Sequence, residues 1–266
     1  LPICGIGGLR SAYTLSHCKV PATFVPFDIN QVANTIYQAN FGEAVQTKNL
    51  DTITVQALNK IHATAWFMSP PCQPYNNSIM SNHKDIEDTR ARSVLHLYQD
   101  VLPQLDVKPS HIFIENVPLF KDSMVFKRIL EVLSTLHYNV QDIVCSPTQI
   151  GVPNSRTRYY VMARLSTFDS PVELKPVSER SLEWYLEESV DSSYDIPKEL
   201  ILRKGMLFDI VGRKDSKTCC FTKSYTKIVE GTGSVLCDKD HFQSVDRPED
   251  LLPYRLRYFT PTEIKR

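Results

Sequence analysis

The chain has 266 residues, of which 42% are hydrophobic and 23% are charged, a composition that excludes a disordered tail or a fibre. Lysine and arginine together number 30, as do aspartate and glutamate, so the sequence also excludes a protein that holds nucleic acid by bulk positive charge. No apolar run approaches the roughly 18 residues that a membrane span needs, and the first residues lack a signal-peptide pattern, so we expect a soluble protein that is not secreted.

Through about residue 165, apolar runs of strand length alternate with stretches of helical period, which predicts an α/β domain around a parallel sheet. The predicted strands are 23–27, 65–68, 111–114, 140–144 and 159–163. Apolar residues at helical spacing predict three helices that cover this sheet, within 32–37, 94–102 and 125–136.

After residue 165 this rhythm ends and charge separates along the chain. Residues 166–200 contain nine acidic and three basic residues, whereas 203–227 contain seven basic and two acidic residues. Two solvated faces would explain this pattern. The alternative is a small second domain whose basic part contacts phosphate.

Seven cysteines form an odd-numbered set without CxxC spacing: Cys4, Cys18, Cys72, Cys145, Cys219, Cys220 and Cys237. This pattern indicates neither a disulfide framework nor a zinc site, and we expect no bound metal. Reduced thiols are typical of the cytosol and the nucleus, so we expect a cytoplasmic protein, with the nucleus as a second compartment.

A glycine turn with Gly5 and Gly7 precedes the first stretch of helical period. Glycine lets a backbone approach a ligand where a Cβ would collide, but the turn lacks GxGxxG spacing and a tight turn without a ligand is the alternative. Asp28 ends the predicted strand 23–27. It lies either where such folds bind a ribose diol or where it caps the helix that begins near Asn30.

Cys72 lies in the segment Ser-Pro-Pro-Cys-Gln-Pro-Tyr, directly after predicted strand 65–68. Prolines on both sides hold one thiol at the carboxyl end of a strand, where α/β enzymes place their sites. A structural cysteine is normally a small apolar residue within a regular element. Cys72 is therefore the predicted nucleophile, and the absence of a neighbouring histidine argues against a cysteine protease dyad.

Glu115 follows the apolar strand residues 111–114. An acid there is partly desolvated and can hold or donate a proton near neutrality, although it could also cap the following helix. Arg156 and Arg158 alternate along the chain, so on one strand they would project from the same face and converge on a carbonyl oxygen or a phosphate. The alternative is a pair of surface arginines on an edge strand.

These segments, in this order, resemble the ordered motifs of the cytosine carbon-5 methyltransferases: the glycine turn, Pro-Cys-Gln, Glu-Asn-Val and the paired arginines. Further along, Cys-Phe-Thr-Lys-Ser-Tyr at 220–225 and Glu-Gly-Thr-Gly-Ser at 230–234 resemble the signature of the type 2 branch, the transfer-RNA aspartate methyltransferases. Residues 256–264 fit the same branch, and the resemblance covers nearly the whole chain.

The resemblance implies a role for each catalytic candidate. Cys72 corresponds to the nucleophile that adds to carbon 6 of cytosine. Glu115 corresponds to the acid that holds ring nitrogen 3, and Arg158 to the donor to the exocyclic oxygen, with Arg156 in support. The segment 74–88 resembles the loop that closes over an extruded base.

The resemblance also implies S-adenosylmethionine as the cofactor. Gly5 and Gly7 would approach its amino-acid end, Asp28 its ribose, and Asn49 or Asp51 its adenine. The remaining predicted cofactor contacts are Ile29 and Pro71. The predicted substrate contacts are Gln73, Asn116, Lys214, Lys217, Cys220, Thr222 and Lys223.

We therefore expect a doubly wound, mostly parallel α/β methyltransferase domain at 1–165, a small target-recognition domain at 166–255 and a return segment at 256–266. The expected reaction is methylation of cytosine carbon 5 in transfer RNA, in the anticodon loop of the aspartate species, by a monomer with no membrane partner. The same catalytic set would serve on DNA. A non-catalytic RNA-binding protein that has lost its cofactor is the alternative from another class.

Two departures from the family's pattern concern the ends of the chain. Only four residues precede Gly5, where the family has a complete first strand, and the family's closing Gly-Asn-Ser motif is absent. The sequence therefore predicts a fragment, or a truncated product, with weakened cofactor binding.

Overall fold

The computed structural model describes residues 4–16, 20–75, 85–175 and 177–266. The chain divides into two compact units, of which unit 1 comprises 1–144 and 158–173, and unit 2 comprises 145–157 and 174–266. This division differs from the expected domains, because 145–157 and 256–266 both group with unit 2. Among the described residues, no helix combines the length and the hydropathy that crossing a membrane requires.

Unit 1 is built on a four-stranded sheet of β1 (Ala65–Met68), β2 (His111–Asn116), β3 (Asn139–Cys145) and β5 (Arg158–Arg164), in the order β1-β2-β5-β3. β1 and β2 are parallel, with Met68 opposite Ile114, whereas β5 runs antiparallel to β2. The predicted α/β class is thus present, with a direction for β5 that the periodicity did not indicate.

The predicted strand 23–27 is wrong in extent. Only Phe27 forms a bridge, in parallel with Gln46. Pro26 accepts a hydrogen bond from the amide of Gln46 but has no N–H of its own, so a continuous ladder cannot form there.

The helices of unit 1 are α1 (Gly8–Leu15), α2 (Gln31–Phe41), α3 (Val55–Asn59), α4 (Arg92–Leu95) and α5 (Met124–Thr135). α4 continues into a π-helical stretch, His96–Val101. Two of the three predicted amphipathic faces are confirmed, because apolar residues of 94–102 and of α5 are buried in one core with the alternate residues of β2 and β5. This core fixes the sheet that carries the site.

α2 departs from the predicted pattern. Only Tyr37 of this helix is buried, whereas Val32 is 71% exposed. The helix packs through Tyr37 and Phe41 against the glycine turn, where a Cβ added at Gly7 would lie 2.1 Å from a ring carbon of Phe41. The predicted apolar face therefore turns away from the core.

The described residues of unit 2 form two small sheets and two α-helices. β4 (Asn154–Ser155) pairs in parallel with β7 (Thr218–Cys219), and β8 (Ser234–Cys237) lies between β6 (Asp209–Val211) and β9 (Leu256–Arg257). The helices are α6 (Lys198–Lys204) and α7 (Pro261–Lys265).

A buried ion pair joins β9 to α7. Nη1 and Nη2 of Arg257 donate to the Glu263 carboxylate, at 2.8 and 2.7 Å, and the backbone amides of Glu187 and Thr260 donate to the same carboxylate. Burial alone would raise the pKa of Glu263, but these hydrogen bonds outweigh burial and hold the pKa below its ordinary value. The ionised form therefore stabilises the fold.

Replacing Glu263 with glutamine is expected to cost about 3 kcal/mol of unfolding free energy at neutral pH, because Arg257 is left buried without its counter-ion. A carboxyl group with a lowered folded-state pKa contributes stability above its ordinary pKa, and that contribution is lost as pH falls through the lowered value. Urea unfolding at pH 7 and near pH 4 should show a smaller difference between wild type and Glu263→Gln at the lower pH. The exposed Glu249→Gln serves as the control, and an equal difference at both pH values would contradict the assignment.

Candidate active site

The Cys72 turn lies at the carboxyl end of β1. The amide of Tyr75 donates to the Cys72 carbonyl at 3.0 Å, which closes a tight turn after the two prolines. Pro70 is held in turn by the side chain of Asn116, which ends the neighbouring parallel strand β2 and donates to the Pro70 carbonyl at 3.4 Å. Because Asn116 is almost completely buried, the structure places this predicted substrate contact in the scaffold of the site.

Glu115 and Arg158 form an ion pair on one face of the sheet. In the antiparallel register Glu115 lies opposite Tyr160, so Arg158 is its diagonal neighbour on the same face. The Arg158 Nε lies 3.0 Å from a Glu115 carboxylate oxygen, and each side chain is 20% exposed. A partly desolvated carboxylate and a guanidinium are thus brought together at the edge of the sheet that Cys72 follows.

Arg156 is not placed as the sequence predicts. β5 begins at Arg158 and β4 ends at Ser155, so Arg156 and Arg158 do not share a strand, and Arg156 belongs to unit 2. Its guanidinium Nη1 donates to the Cys220 sulfur at 3.1 Å. The alternation of the two arginines predicts one strand. The residues just before Arg156 instead form β4, which pairs with β7 in a separate sheet.

Two residues near the Cys72 turn were missed. The Asp88 carboxylate, which is buried, accepts from the backbone amide, Nε and Nη2 of Arg90 at 2.9, 2.8 and 2.6 Å. The pKa of Arg90 is raised, chiefly by the hydrogen bond to Asp88, and Cys72 also acts on it electrostatically. The Asp-x-Arg spacing is the signal that could have identified this ion pair.

Four other cysteines among the described residues have raised pKa values. Burial raises the pKa of Cys145, Cys219 and Cys237, in each case as the largest cause. Burial, followed by the charge of Asp28, raises the pKa of Cys4 to about 11. Because the thiolate is the reactive form, these shifts argue against these four thiols as the nucleophile.

Asp28, one of the predicted cofactor residues, is hydrogen-bonded to the glycine turn. The Asp28 carboxylate accepts from the Gly5 amide at 2.8 Å and from the Asn30 amide at 2.9 Å, while the side chain of Asn30 caps α2. Asp28 therefore joins the turn to the start of α2 and is not itself the capping residue. Each carboxylate oxygen keeps a lone pair for a hydroxyl donor.

These residues fit a nucleoside cofactor. Gly5 has a φ of +48°, and an added Cβ would have no atom within 4 Å, so the turn presents open space. The side chain of Ile29 is 68% exposed directly after the buried acid, which leaves an apolar surface for a base. Asn49 caps the turn that contains Asp51, and Asp51 accepts from the hydroxyl of Ser93. Pro71 is partly buried next to Cys72.

The predicted substrate residues fall into two groups. In unit 1, Gln73 is exposed on the Cys72 turn. In unit 2, Lys214, Lys217, Thr222 and Lys223 are exposed and Cys220 is partly buried. Of the predicted base-closing loop 74–88, residues 76–84 lie outside the described residues.

A thiol that follows the carboxyl end of β1 and a carboxylate–guanidinium pair on β2 and β5 are groups of the kind that covalent attack on an electron-poor ring requires. The profile of the C-5 cytosine-specific DNA methylase family matches residues 3–266. The chain belongs to this family and is an S-adenosylmethionine-dependent methyltransferase.

Three similar proteins illustrate the range of the family. A methyltransferase of Entamoeba histolytica, EhMeth, has a solved structure with a TM-score of 0.93 and 61% identity, covering 99% of this chain and 83% of its own. The tRNA (cytosine(38)-C(5))-methyltransferase of Schizosaccharomyces pombe is 36% identical over 98% of this chain and 82% of its own length. The DNA (cytosine-5)-methyltransferase of Dictyostelium discoideum is 33% identical over 98% of this chain and 82% of its own length.

Proposed function

We propose that this chain methylates carbon 5 of a cytosine in transfer RNA through a covalent adduct with Cys72. The observation that carries the proposal is the site in unit 1, where the Cys72 turn follows β1 and Glu115, on the adjacent strand β2, pairs with Arg158 at the start of β5. The S. pombe relative, named for cytosine 38 of tRNA, supports RNA as the substrate. By the same resemblance, the anticodon loop of aspartate transfer RNA is the proposed target.

The residues divide the chemistry between them. The Cys72 sulfur forms a bond to carbon 6 of the cytosine, and the electron pair of the 5,6 double bond moves toward carbon 5. Glu115 holds the proton at nitrogen 3 as charge develops there, and Arg158 donates a hydrogen bond to the exocyclic oxygen. S-adenosylmethionine, when bound, supplies the methyl group. The carbon 5 proton then passes to solvent, its bonding electron pair restores the 5,6 double bond, and the carbon–sulfur bond breaks to release Cys72 as a thiolate.

The basic stretch 203–227 of unit 2 is the proposed contact with RNA phosphate. The lysines of this stretch differ in their partners. The Lys214 ammonium already pairs with the Asp240 carboxylate at 2.6 Å, and this hydrogen bond is the main reason why the pKa of Asp240 is lowered. Lys217 and Lys223 are exposed in the same stretch. We therefore expect Lys217 and Lys223 to contribute more to RNA binding than Lys214.

The test measures methyl transfer from labelled S-adenosylmethionine to transfer RNA and to duplex DNA, with RNA binding followed as a function of salt. Transfer RNA is expected to be the preferred substrate. Replacing Lys217 and Lys223 with glutamate should weaken binding and reduce the slope of log affinity against log salt by about 1 for each phosphate contact that is lost. Lys214→Glu should change this slope less.

Lys127→Glu, on the exposed face of α5, is the control. It makes the same lysine-to-glutamate charge reversal in unit 1, outside the basic stretch. Equal or greater methylation of duplex DNA would contradict the proposed substrate. An unchanged salt slope in the Lys217→Glu, Lys223→Glu variant would show that 203–227 is a solvated face. Binding of transfer RNA without any cofactor binding, measured by calorimetry, would favour the non-catalytic alternative.

A further inference from the structure

We propose that Arg156 is a positioning residue, which acts through its contact with the Cys220 thiol and not on the target base. The inference rests on the proposed function, because it assigns a role within the same reaction. It concerns the Cys-Phe-Thr segment at 220–222, which the chemistry described above does not otherwise use.

The contact is set by strand pairing. In the parallel register of β4 and β7, Asn154 lies opposite Thr218 and Ser155 opposite Cys219, so the next residue of each segment is Arg156 and Cys220. The Asn154 side chain reinforces this register, since it donates to the Thr218 hydroxyl at 3.0 Å and to the Cys219 carbonyl at 3.2 Å.

The backbone on the Arg156 side is fixed independently of its guanidinium. The Arg156 amide donates to the Ser146 hydroxyl at 3.2 Å. Ser146 is buried and forms a capping box with Gln149 at the start of a short 3₁₀ helix. Arg156 therefore extends toward Cys220 from an anchored position.

The Cys220 side is also fixed. The amide of Cys219 donates to the Ser234 hydroxyl at 2.7 Å, and that hydroxyl donates to the Asp209 carboxylate. The Tyr225 hydroxyl donates to the Ser234 carbonyl at 2.6 Å and accepts from the Phe259 amide at 3.0 Å. These bonds connect the segment that carries Cys220 to the three-stranded sheet of unit 2.

The Arg156 guanidinium lies 3.1 Å from the Cys220 sulfur and connects two anchored segments. Because its N–H donors are directional, this contact restricts the backbone at Arg156. Thr157 alone separates Arg156 from Arg158, the first residue of β5 and the partner of Glu115. Holding Arg156 therefore restricts the backbone that leads into Arg158. Small misplacements of a catalytic group are costly, with about 100-fold lost for about 1 Å.

A double-mutant cycle tests the proposal, with kcat and KM measured on transfer RNA. Arg156→Ala and Cys220→Ala are each expected to lower kcat about 10- to 100-fold with little change in KM, because the loss lies in the chemical step. The double variant should be no slower than the slower single variant, since both substitutions remove one contact. Cys220→Ser should recover most of the rate because a hydroxyl oxygen accepts the same hydrogen bond.

Cys145→Ser and Arg128→Ala, at a partly buried cysteine and an exposed arginine outside this contact, are the controls and should leave kcat unchanged. Multiplying losses in the double variant would mean that Arg156 acts separately, as a contact to the base, and would overturn the proposal. A Cys220→Ser variant as slow as Cys220→Ala would also overturn it, because the thiol itself would then be required.

The proposed substrate can fail separately from this inference. If the wild-type chain methylates duplex DNA and not transfer RNA, the substrate assignment is wrong, and the cycle is measured on DNA. Urea unfolding midpoints of wild type, Arg156→Ala, Cys220→Ala and the double variant measure the coupling between the two side chains without any substrate. Additive midpoint shifts would show that Arg156 and Cys220 do not support one another in the folded chain.

Discussion

Replacing Cys72 with alanine is expected to abolish methyl transfer, with a loss on the order of 10⁴-fold or more, because no other group supplies the covalent bond to carbon 6. The turn that holds this thiol is built by the backbone bond from Tyr75 and by Asn116 at the end of β2. RNA that carries 5-fluorocytosine at the target position should form an adduct with the wild-type chain that survives denaturation, because fluorine blocks the final loss of the carbon 5 proton.

The Cys72→Ala variant should form no such adduct, whereas Cys220→Ala should form it at a reduced rate. This contrast separates the nucleophile from the thiol that contacts Arg156. Circular dichroism and the urea midpoint of Cys72→Ala serve to confirm that the fold is intact. A persistent adduct in this variant would assign the nucleophile to a different cysteine.

Removal of the charge on Glu115 or Arg158 is the second large effect, with an expected loss of about 100-fold or more in the rate of the chemical step. Both groups act on charge that appears only as the ring is attacked, so RNA affinity should change much less than rate. Single-turnover methylation of transfer RNA by Glu115→Gln and by Arg158→Met, with binding measured in parallel, separates the two quantities.

The ion pair adds a second expectation to this experiment. Because Arg158 Nε and the Glu115 carboxylate are 3.0 Å apart and partly buried, removing one partner also leaves the other without its counter-ion. The double variant should therefore lose less than the product of the two single losses. Glu131→Gln, at an exposed carboxylate on α5, is the control. A Glu115→Gln variant with near-normal turnover would refute the proton-holding role.

Local sequence pattern was sufficient for the chemically explicit parts of the site. A short apolar run followed by Ser-Pro-Pro-Cys predicts a strand and a constrained thiol, and β1 ends at Met68, four residues before Cys72. The same reading places Glu115 directly after the next strand, and the structure differs only in extending β2 to Asn116, so that Glu115 lies within it. The amphipathic helix at 125–136 was equally clear, because one face of α5 fills the core. These features depend on short-range periodicity and on the restricted backbone of proline, both of which are determined by residues close together in the sequence.

Contacts between distant segments could not be obtained in this way. The pairing of β4 with β7 connects residues about sixty positions apart, and it moves Arg156 off the strand of Arg158 and onto Cys220. The Asp28 carboxylate is likewise committed to a glycine amide 23 residues away, and the apolar face of α2 is exposed because its packing partner is the glycine turn. Composition and spacing along the chain established which groups can react. Which of these groups come into contact depends on the register between distant strands and on hydrogen bonds between residues far apart in the sequence. Neither can be read from a short segment of the chain.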